Sequence, residues 1–242
     1  MISVCITTFN GERFIKDQLY SILQQLNAED EIIISDDGSM DLTVKIIEDF
    51  KDERIKIFMH LRNKLCYYPF YRITKNVENA LNHAKGDLIF LADQDDSWVS
   101  TKVQTVIQEM GNNLCLLHDC IVVNGKGEEI YSSYFYQNRS KLGIIENLIN
   151  NSYLGCCMVI RKEFLNTVLP FPLIPIPHDI WIGLLAECKG GMKICDKKLL
   201  YYRRHSSNQS TSSEKSNADF LYKIRYRINI ILALSFRLLL KK

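Results

Sequence analysis

Short apolar runs alternate with helical patterns along the first hundred residues. Runs at 2–7, 31–35, 55–59 and 88–92 predict strands. Between them, apolar residues recur with helical spacing at 12–25, after a predicted N-cap at Asp41, and at 74–84. Strands that alternate with helices predict an α/β fold whose sheet is parallel or mostly parallel, with right-handed crossovers. Ligands of such sheets bind beyond the carboxyl ends of the strands, so the loops after strands are the informative ones.

The pattern is less regular after residue 110. Strands are predicted at 114–118, at 121–123 and within 153–160, and a helix is predicted over 178–188 after a proline-rich loop. Residues 206–217 contain no apolar side chain, which predicts a mobile loop. A helical pattern then occupies the end of the chain.

Three carboxylates stand directly behind the fourth predicted strand. Asp93, Asp95 and Asp96 fall within four positions, and Asp93 and Asp95 point the same way if the chain is extended. Like charges this close repel unless a cation neutralises them. Carboxylate oxygens in small number suit Mg²⁺ or Mn²⁺. The alternative is a solvated acidic turn that caps a helix beginning near Ser100.

The length, net charge and cysteine content of the chain limit the classes of protein to which it could belong. The chain has 242 residues, 47% of them hydrophobic, which fits one enzyme-sized domain. A net charge of +2 gives no reason to expect a nucleic-acid partner. The eight cysteines form no CxxC pair and indicate a reducing compartment. A strand predicted from Ile2, with no signal peptide and no apolar stretch of about 20 residues, makes a cytoplasmic location the expectation.

Several common site chemistries are excluded by their missing motifs. The turn after the first strand reads Thr7-Thr8-Phe9-Asn10-Gly11, where a dinucleotide fold requires GxGxxG. The chain also lacks the P-loop GxxxxGK[ST] and the nucleophile elbow GxSxG.

Seven short motifs in order carry a family resemblance. They are Thr7-Thr8-Phe9-Asn10, Asp36-Asp37-Gly38-Ser39, Asp93-Gln94-Asp95-Asp96-Ser97-Trp98, His118-Asp119, Gly155-Cys156, His178-Asp179-Ile180-Trp181 and Tyr202-Arg203-Arg204-His205. Over roughly residues 2–208 the chain resembles family-2 glycosyltransferases of the GT-A fold, most closely the bacterial rhamnosyltransferase-like members. The resemblance implies a Rossmann-like, mostly parallel sheet flanked by helices. It implies a nucleotide-sugar-binding half at 1–110, an acceptor-binding half at 111–205, a flexible loop at 206–218 and a helical tail at 219–242.

The activity implied by this resemblance is inverting, metal-dependent sugar transfer in surface polysaccharide synthesis. The donor would be a UDP- or dTDP-sugar, with dTDP-rhamnose one candidate, and the acceptor a glycan or a lipid-linked intermediate. Thr7, Phe9 and Asp37 would hold the nucleoside, with Asp37 accepting a pyrimidine imide N–H. The alternatives are a core aromatic for Phe9 and a turn residue for Asp37.

The same resemblance assigns the remaining site residues. Asp93 would touch the sugar or ribose, and Asp95 would bind Mn²⁺ or Mg²⁺, with His205 completing the metal or phosphate site and Arg203 beside it. Lys75 would approach the diphosphate, or is a solvated helix lysine. Asp179 would be the general base, with His178 either tuning it or a bystander. His205 is otherwise a surface histidine, and Asp119 either contacts the sugar or ends a strand.

Two other protein classes compete with a glycosyltransferase. A nucleotidyltransferase shares the acidic metal site but requires a Gly-rich phosphate loop with a basic residue after the first strand, which is missing here. A non-catalytic subunit that binds a nucleotide sugar or a partner enzyme is the second, and the intact Asp95 and Asp179 argue against it.

The tail from residue 220 is amphipathic. Leu221, Ile224, Ile228, Ile231, Leu232, Leu238 and Leu239 fall on one side of a helical wheel, and Lys223, Arg227, Arg237 and Lys241 fall on another stripe. This pattern predicts a peripheral helix on the anionic cytoplasmic face of the membrane. The alternative is packing on its own domain or across a homodimer, through Ile230, Leu234 and Leu240 on the remaining sides.

Overall fold

The computed structural model describes residues 1–60, 69–205, 208 and 219–240. The loop predicted to be mobile at 206–218 lies outside these residues, except for Asn208. The strands are β1 (Ile2–Thr8), β2 (Glu31–Asp36), β3 (Ile55–Met59), β4 (Leu88–Asp93), β5 (Ser97–Trp98), β6 (Cys115–Asn124), β7 (Glu129–Tyr131), β8 (Met158–Arg161) and β9 (Met192–Arg204). The α-helices are α1 (Ile15–Leu23), α2 (Thr43–Glu48), α3 (Pro69–His83), α4 (Lys102–Met110), α5 (Tyr134–Asn138), α6 (Ile144–Ile149), α7 (Leu165–Val168), α8 (His178–Cys188) and α9 (Phe220–Leu240).

One twisted sheet carries the fold, in the order β3-β2-β1-β4-β8-β6-β9-β5, with β7 on β6. The four strands β3, β2, β1 and β4 are parallel to one another, and Cys5 at the centre pairs with Ile33 and Leu91. Side chains on both faces of β1 and β2 are buried, as expected for parallel strands covered by helices. The predicted α/β class is therefore confirmed, with parallel pairing concentrated where strands and helices alternate in sequence.

The second half of the sheet is mixed. β8 runs antiparallel to both β4 and β6, while β9 is parallel to β6 and antiparallel to β5. The two strands predicted at 114–118 and 121–123 are one strand, β6, whose register with β9 shifts at His118 and Asp119. These two polar residues interrupt the apolar pattern, yet both are buried, so the strand continues through them.

Asp119 has a structural role in the middle of β6. Its carboxylate accepts hydrogen bonds from Ser133 Oγ at 2.6 Å and from the backbone N–H of Cys120 and Phe135. It does not end a strand, because β6 continues to Asn124.

The tail helix α9 packs on its own domain through one face. Ile230 and Leu234 are buried there. Arg227 donates to the carbonyl oxygens of Leu148 and Ile149 at the end of α6, and Arg237 donates to those of residues 167–170 at the end of α7. The two arginines predicted to face a membrane instead satisfy carbonyl groups at helix C-termini. Among the described residues, none of the helices combines the length and the apolar character needed to cross a bilayer.

Candidate active site

The loop after β2 is organised by Asp36. This fully buried carboxylate accepts hydrogen bonds from Thr8 Oγ1 (2.7 Å), from the backbone N–H of Gly38 and Ser39, and from Ser39 Oγ. Gly38 has a φ of 76°, which an L-residue adopts with difficulty. Asp36 is therefore the turn residue of this motif, and it leaves the neighbouring Asp37 to face the end of the sheet.

Asp37 meets two basic side chains that the sequence interpretation did not include. Its carboxylate lies 2.9 Å from Arg72 Nη2 and 3.0 Å from His60 Nδ1. The Arg72 guanidinium is also 5.8 Å from the centroid of the Phe9 ring. Phe9 and Asp37 are thus brought to one place, as predicted, with Arg72 between them. Arg72 lies on α3, 35 positions after Asp37, so the strand pattern carries no signal for it.

Gln94 connects the loop after β1 to the loop after β4. Its side-chain oxygen accepts from the Phe9 N–H at 2.8 Å, and its amide nitrogen donates to the Phe9 carbonyl at 3.1 Å. These two hydrogen bonds to the Phe9 backbone fix the position of one loop relative to the other. The predicted nucleoside-binding residues and the acidic cluster therefore form one site.

The acidic loop after β4 is not a solvated turn. Asp95 is 9% exposed and Asp96 is completely buried. The end of β9 covers these two aspartates, because β5, which directly follows them in the sequence, pairs with β9. Arg203 donates its backbone N–H to Asp96 Oδ1 and its Nε to the Asp95 carbonyl, both at 2.9 Å. His205 Nε2 lies 2.8 Å from Asp95 Oδ2. Arg203 and His205 are therefore brought to the predicted metal residue.

Phe14 supports this arrangement from the opposite side. Its ring centroid is 4.9 Å from that of His205 and 5.0 Å from the Arg203 guanidinium carbon. Phe14 lies just before α1, against the two basic residues. It restricts the orientation of both.

Charge is concentrated at the carboxyl end of β4. Burial raises the pKa of the Asp93 carboxyl to about 7, and the nearby charges of Asp95 and Asp179 act in the same direction. Burial likewise raises the pKa of Asp96, again with help from neighbouring carboxylates. The Oδ2 atom of Asp96 is buried without a hydrogen-bond partner among the described residues. These are features of a site that gains from a bound cation.

The donor atoms fit a hard divalent metal. Asp95 and His205 present an oxygen and an imidazole nitrogen 2.8 Å apart, with side chains only 13% and 12% exposed. Ligand atoms of Asp93, Asp96 and Cys156 also lie within 4.8 Å of one another. Burial raises the pKa of the Cys156 thiol well above its usual range, so the sulfur stays protonated and is a poor ligand. The carboxylates and the imidazole suit Mn²⁺ or Mg²⁺.

Asp179 stands at the start of α8, facing the same acidic cluster. Its Oδ1 accepts a hydrogen bond from the backbone N–H of Ile180 at 2.8 Å, and its negative charge helps to raise the pKa of the Asp93 carboxyl. His178 lines a small cavity of about 10 Å³ together with Thr7, Asp93 and Gly155. Burial lowers the pKa of His178, although Asp179 opposes this, so the imidazole is neutral at neutral pH.

Gly155 makes room for His178. A Cβ at this position would lie 2.4 Å from His178 Nε2, so the His178 ring would have to move. The glycine that precedes β8 in the motif pattern is therefore explained by the close approach of the α8 N-terminus.

The Lys75 side chain contacts residues outside the predicted site. On α3 its ammonium pairs with Glu78 at 2.5 Å and lies 5.4 Å from the Tyr71 ring. The described contacts do not connect it to the other predicted site residues, and its role toward a diphosphate stays a prediction.

The family model for glycosyl transferase family 2 matches residues 3–169. Two relatives cover most of the chain. The dTDP-rhamnosyl transferase RfbG of Shigella flexneri is 27% identical over 92% of this chain and 77% of its own length. The glucosyltransferase WfgD of Escherichia coli, named as acting on α-D-GlcNAc-diphosphoundecaprenol with UDP-Glc, is 25% identical over 89% of this chain and 81% of its own length.

A solved structure confirms the predicted GT-A fold. Residues 1–349 of Staphylococcus aureus TarS, crystallised with UDP-GlcNAc, superpose with a TM-score of 0.69 at 20% identity. The match covers 96% of this chain but only 66% of that TarS chain, so this chain spans about two thirds of the crystallised relative.

Proposed function

Because the chain belongs to glycosyl transferase family 2, we propose that it is an inverting, metal-dependent glycosyltransferase of bacterial surface polysaccharide synthesis. The donor is a UDP- or dTDP-sugar, with dTDP-rhamnose one candidate, and the acceptor is a glycan or a lipid-linked sugar. The observation that carries the proposal is the grouping of Asp37, the Asp95–His205 pair and Asp179 at one end of the sheet. Asp37 would bind the nucleobase, and Asp95 and His205 would hold the metal that binds the diphosphate. Asp179 would accept the proton of the acceptor hydroxyl group.

The nucleoside end is assigned to Phe9 and Asp37. Phe9 offers a ring face to a pyrimidine, and Asp37 accepts the imide N–H of uracil or thymine. Arg72 and His60 hold the Asp37 carboxylate in place before the base arrives. Cytosine has no imide N–H, so the same carboxylate disfavours it. The names of RfbG and WfgD, with dTDP and UDP donors, support a uracil-type base.

The diphosphate end is assigned to Asp95, His205 and Arg203. Asp95 and His205 would hold a divalent cation, which when bound neutralises charge on the leaving diphosphate. Arg203 Nε donates a hydrogen bond to the Asp95 carbonyl oxygen. Its guanidinium, which like the His205 ring lies against Phe14, adds a second positive charge for the phosphates.

Asp179 is assigned the role of general base, which accepts the proton of the acceptor hydroxyl group. As the acceptor oxygen forms its bond to the anomeric carbon, the bond from that carbon to the diphosphate oxygen breaks on the opposite face, and Asp179 takes the hydroxyl proton. Burial of the neighbouring His178 ring, which packs against Gly155, lowers its pKa and so disfavours an imidazolium beside Asp179.

A calorimetric panel tests the donor side. UDP, dTDP, GDP and CDP are titrated into the full chain with and without Mn²⁺, and the sugar nucleotides of the best binder are then assayed for hydrolysis and transfer. UDP or dTDP should bind tightest and only with metal. Preferential binding of GDP or CDP would contradict the role of Asp37.

The variant Asp179→Asn tests the chemistry. Asparagine keeps the shape but accepts no proton, so turnover should fall by about 10²–10⁴ while donor affinity is unchanged. Asp196→Asn, at an exposed position on β9, is the matched control and should leave both unchanged. Loss of donor binding in Asp179→Asn would place this residue in the nucleotide site instead.

The outward face of α9 is assigned to the membrane surface. Leu221, Leu232, Phe236 and Leu239 are each more than half exposed. No acidic residue occurs between 220 and 240. An apolar face without acidic side chains suits an anionic leaflet, where a lipid-linked acceptor is found. The diphosphoundecaprenol acceptor in the name of WfgD supports this location. A homodimer through the same face is the alternative.

Flotation with anionic liposomes separates the two. Removing the tail would also uncover the groups that Ile230 and Leu234 bury, so the double substitution Leu232→Glu and Leu239→Glu is the cleaner variant. It should lose flotation, whereas the exposed control Ile107→Glu on α4 should not. If the unaltered chain sediments as a dimer and does not float, the face is a dimer contact.

A further inference from the structure

Asn151 contacts the residue that is assigned as general base. Its Nδ2 atom lies 3.4 Å from Asp179 Oδ2, across 28 positions of the sequence. The other carboxylate oxygen, Oδ1, accepts the backbone N–H of Ile180 at 2.8 Å. Among the described residues, Asn151 is the one side chain that donates a hydrogen bond to Asp179. The two carboxylate oxygens are therefore not equivalent, and Oδ2 is the one that Asn151 contacts.

The amide of Asn151 can face Asp179 only with its nitrogen. Its Oδ1 accepts the backbone N–H of Tyr153 at 3.0 Å. Its Nδ2 lies 3.4 Å from the Tyr153 carbonyl oxygen and from Asp179 Oδ2. A rotated amide would set its oxygen against these two acceptors and its nitrogen against an N–H donor. The backbone of Tyr153 thus determines the orientation of the amide, and one N–H is directed to Asp179.

The chain around Asn151 is itself held in place. The Asn151 carbonyl oxygen accepts a hydrogen bond from Asn138 Nδ2 at 3.0 Å. The next residue, Ser152, is buried, and its backbone nitrogen donates to Asn147 Oδ1 at 2.8 Å. A side chain on a fixed backbone can hold a second side chain, because it loses little further freedom when the hydrogen bond forms.

A general base depends on the orientation of its accepting oxygen. Proton transfer requires that oxygen to lie within hydrogen-bond reach of the acceptor hydroxyl group and to be held there. We propose that Asn151 is a positioning residue for Asp179: its amide donates to Oδ2 and holds the carboxylate in the orientation that accepts the proton. The inference rests on the proposed function, in which Asp179 is the general base. The alternative is an Asx turn that only shapes the chain, because Asn151 Oδ1 already accepts the Tyr153 N–H.

The variant Asn151→Asp separates these two roles. Aspartate has the same shape and an oxygen for the same turn, so an Asx turn tolerates it. It also replaces the N–H donor beside Asp179 by a second carboxylate oxygen. Hydrolysis of UDP-glucose and dTDP-rhamnose, the donor types in the names of WfgD and RfbG, is measured with Mn²⁺ and with water as the acceptor. For the donor that is hydrolysed faster, kcat should fall by about 10–100-fold while KM is unchanged.

The neighbouring asparagine provides the matched control. Asn150→Asp adds the same charge one position away, at an exposed residue, and should leave kcat unchanged. An unaltered kcat in Asn151→Asp would leave only the Asx turn and would overturn the proposal.

The Asp179→Asn background tests whether Asn151 acts through the base. In that background Asn151→Asp should lower kcat by less than about threefold, because the group that Asn151 positions has already lost its function. A loss of the same size in both backgrounds would overturn the positioning role alone. If Asp179→Asn hydrolyses the donor as fast as the unaltered chain, or if the unaltered chain hydrolyses neither donor, the proposed function is contradicted and the positioning role falls with it.

Unfolding in urea, followed by circular dichroism, tests the contact without any catalysis. Asn151→Asp should raise the unfolding equilibrium constant about tenfold, because it sets two carboxylates side by side. Asn151→Asp combined with Asp179→Asn exchanges donor and acceptor, so this exchanged pair restores the hydrogen bond and should recover most of the lost stability. If Asn151→Asp alone does not fold, the exchanged pair should still fold, and Asn151→Ser, which keeps a turn-forming oxygen and lacks the amide, replaces it in the hydrolysis assay. An exchanged pair no more stable than Asn151→Asp would show that the two side chains do not interact, and would overturn the proposal.

Discussion

Two adjacent aspartates stand where β2 gives way to its loop, and two more stand in the loop after β4, and the two pairs are balanced in different ways. In each loop one aspartate is completely buried, Asp36 in the first and Asp96 in the second. The other faces the site, where Asp37 meets Arg72 and Asp95 meets His205. Within the described part of the chain, Asp36 accepts four hydrogen bonds, whereas Asp96 Oδ1 accepts one from the Arg203 N–H and Asp96 Oδ2 has no hydrogen-bond partner.

This difference separates a structural carboxylate from an electrostatic one. The first loop is complete without a ligand, because each oxygen of Asp36 accepts hydrogen bonds and the Asp37 carboxylate contacts the Arg72 guanidinium and the His60 ring. The second loop gathers carboxylates whose burial and like charges raise the pKa of Asp93 and Asp96, and the cation expected to balance them is the proposed metal. Substitutions in the two loops should therefore affect different measurements.

The largest effect is expected at the outward aspartate of the second loop. Asp95→Ala removes a proposed metal ligand, so transfer should fall by about 10³-fold or more and Mn²⁺ should no longer strengthen nucleoside-diphosphate binding. Initial rates with Mn²⁺, and calorimetry with and without it, measure the two effects. Asp196→Ala, exposed on β9, is the control. Transfer that continues unchanged in EDTA would rule out the metal assignment.

The next effect is on stability and belongs to the first loop. Asp36→Ala leaves four donors without an acceptor, two of them backbone N–H groups, and should lower the free energy of unfolding by about 3 kcal/mol. Urea unfolding monitored by circular dichroism measures this. A loss smaller than about 1 kcal/mol would show that water or the hydroxyl groups replace Asp36 easily.

The strand and helix pattern of the sequence predicts those parts of the site whose residues follow successive strands of the parallel sheet. The loops containing Phe9, Asp37 and Asp95 follow β1, β2 and β4, so alternating periodicity already places them at one edge. It does not reveal that Asp36 rather than Asp37 organises the turn, because adjacent carboxylates look alike in a sequence.

The remaining features depend on long-range packing. Arg203 reaches Asp96 across 107 positions through pairing of β9 with β5 and β6, which no local period encodes. Arg227 and Arg237 resemble a membrane-facing stripe on a wheel, but they bind carbonyl groups of α6 and α7. The complete burial of Lys102, the first residue of α4, is unexpected for the same reason, since its ammonium group donates to the distant Cys156 carbonyl oxygen.

A smaller effect is expected for the outward aspartate of the first loop. Asp37→Asn removes a charged acceptor, so the affinity for UDP or dTDP should weaken by about 10–100-fold. The preference over CDP should shrink as well, because an amide can donate to cytosine where a carboxylate cannot. Calorimetry with three nucleotides measures both changes. Unfolding stability serves as the control and should change little. An unaltered preference for UDP over CDP would move base recognition away from Asp37.

The smallest effect is expected at the inward aspartate of the second loop. Among the described residues, Asp96→Ala orphans one backbone donor, the Arg203 N–H, and at the same time it removes a carboxylate that Asp93 and Asp95 repel. The cost of the orphaned donor, about 1 kcal/mol, is offset by the relief of repulsion, so the free energy of unfolding in EDTA should change by less than about 1 kcal/mol. Asp36→Ala under the same conditions is the matched comparison, because both residues are equally buried. Equal destabilisation of the two variants would mean that burial alone determines the cost, and that the unpartnered oxygen of Asp96 reflects no electrostatic strain in the second loop.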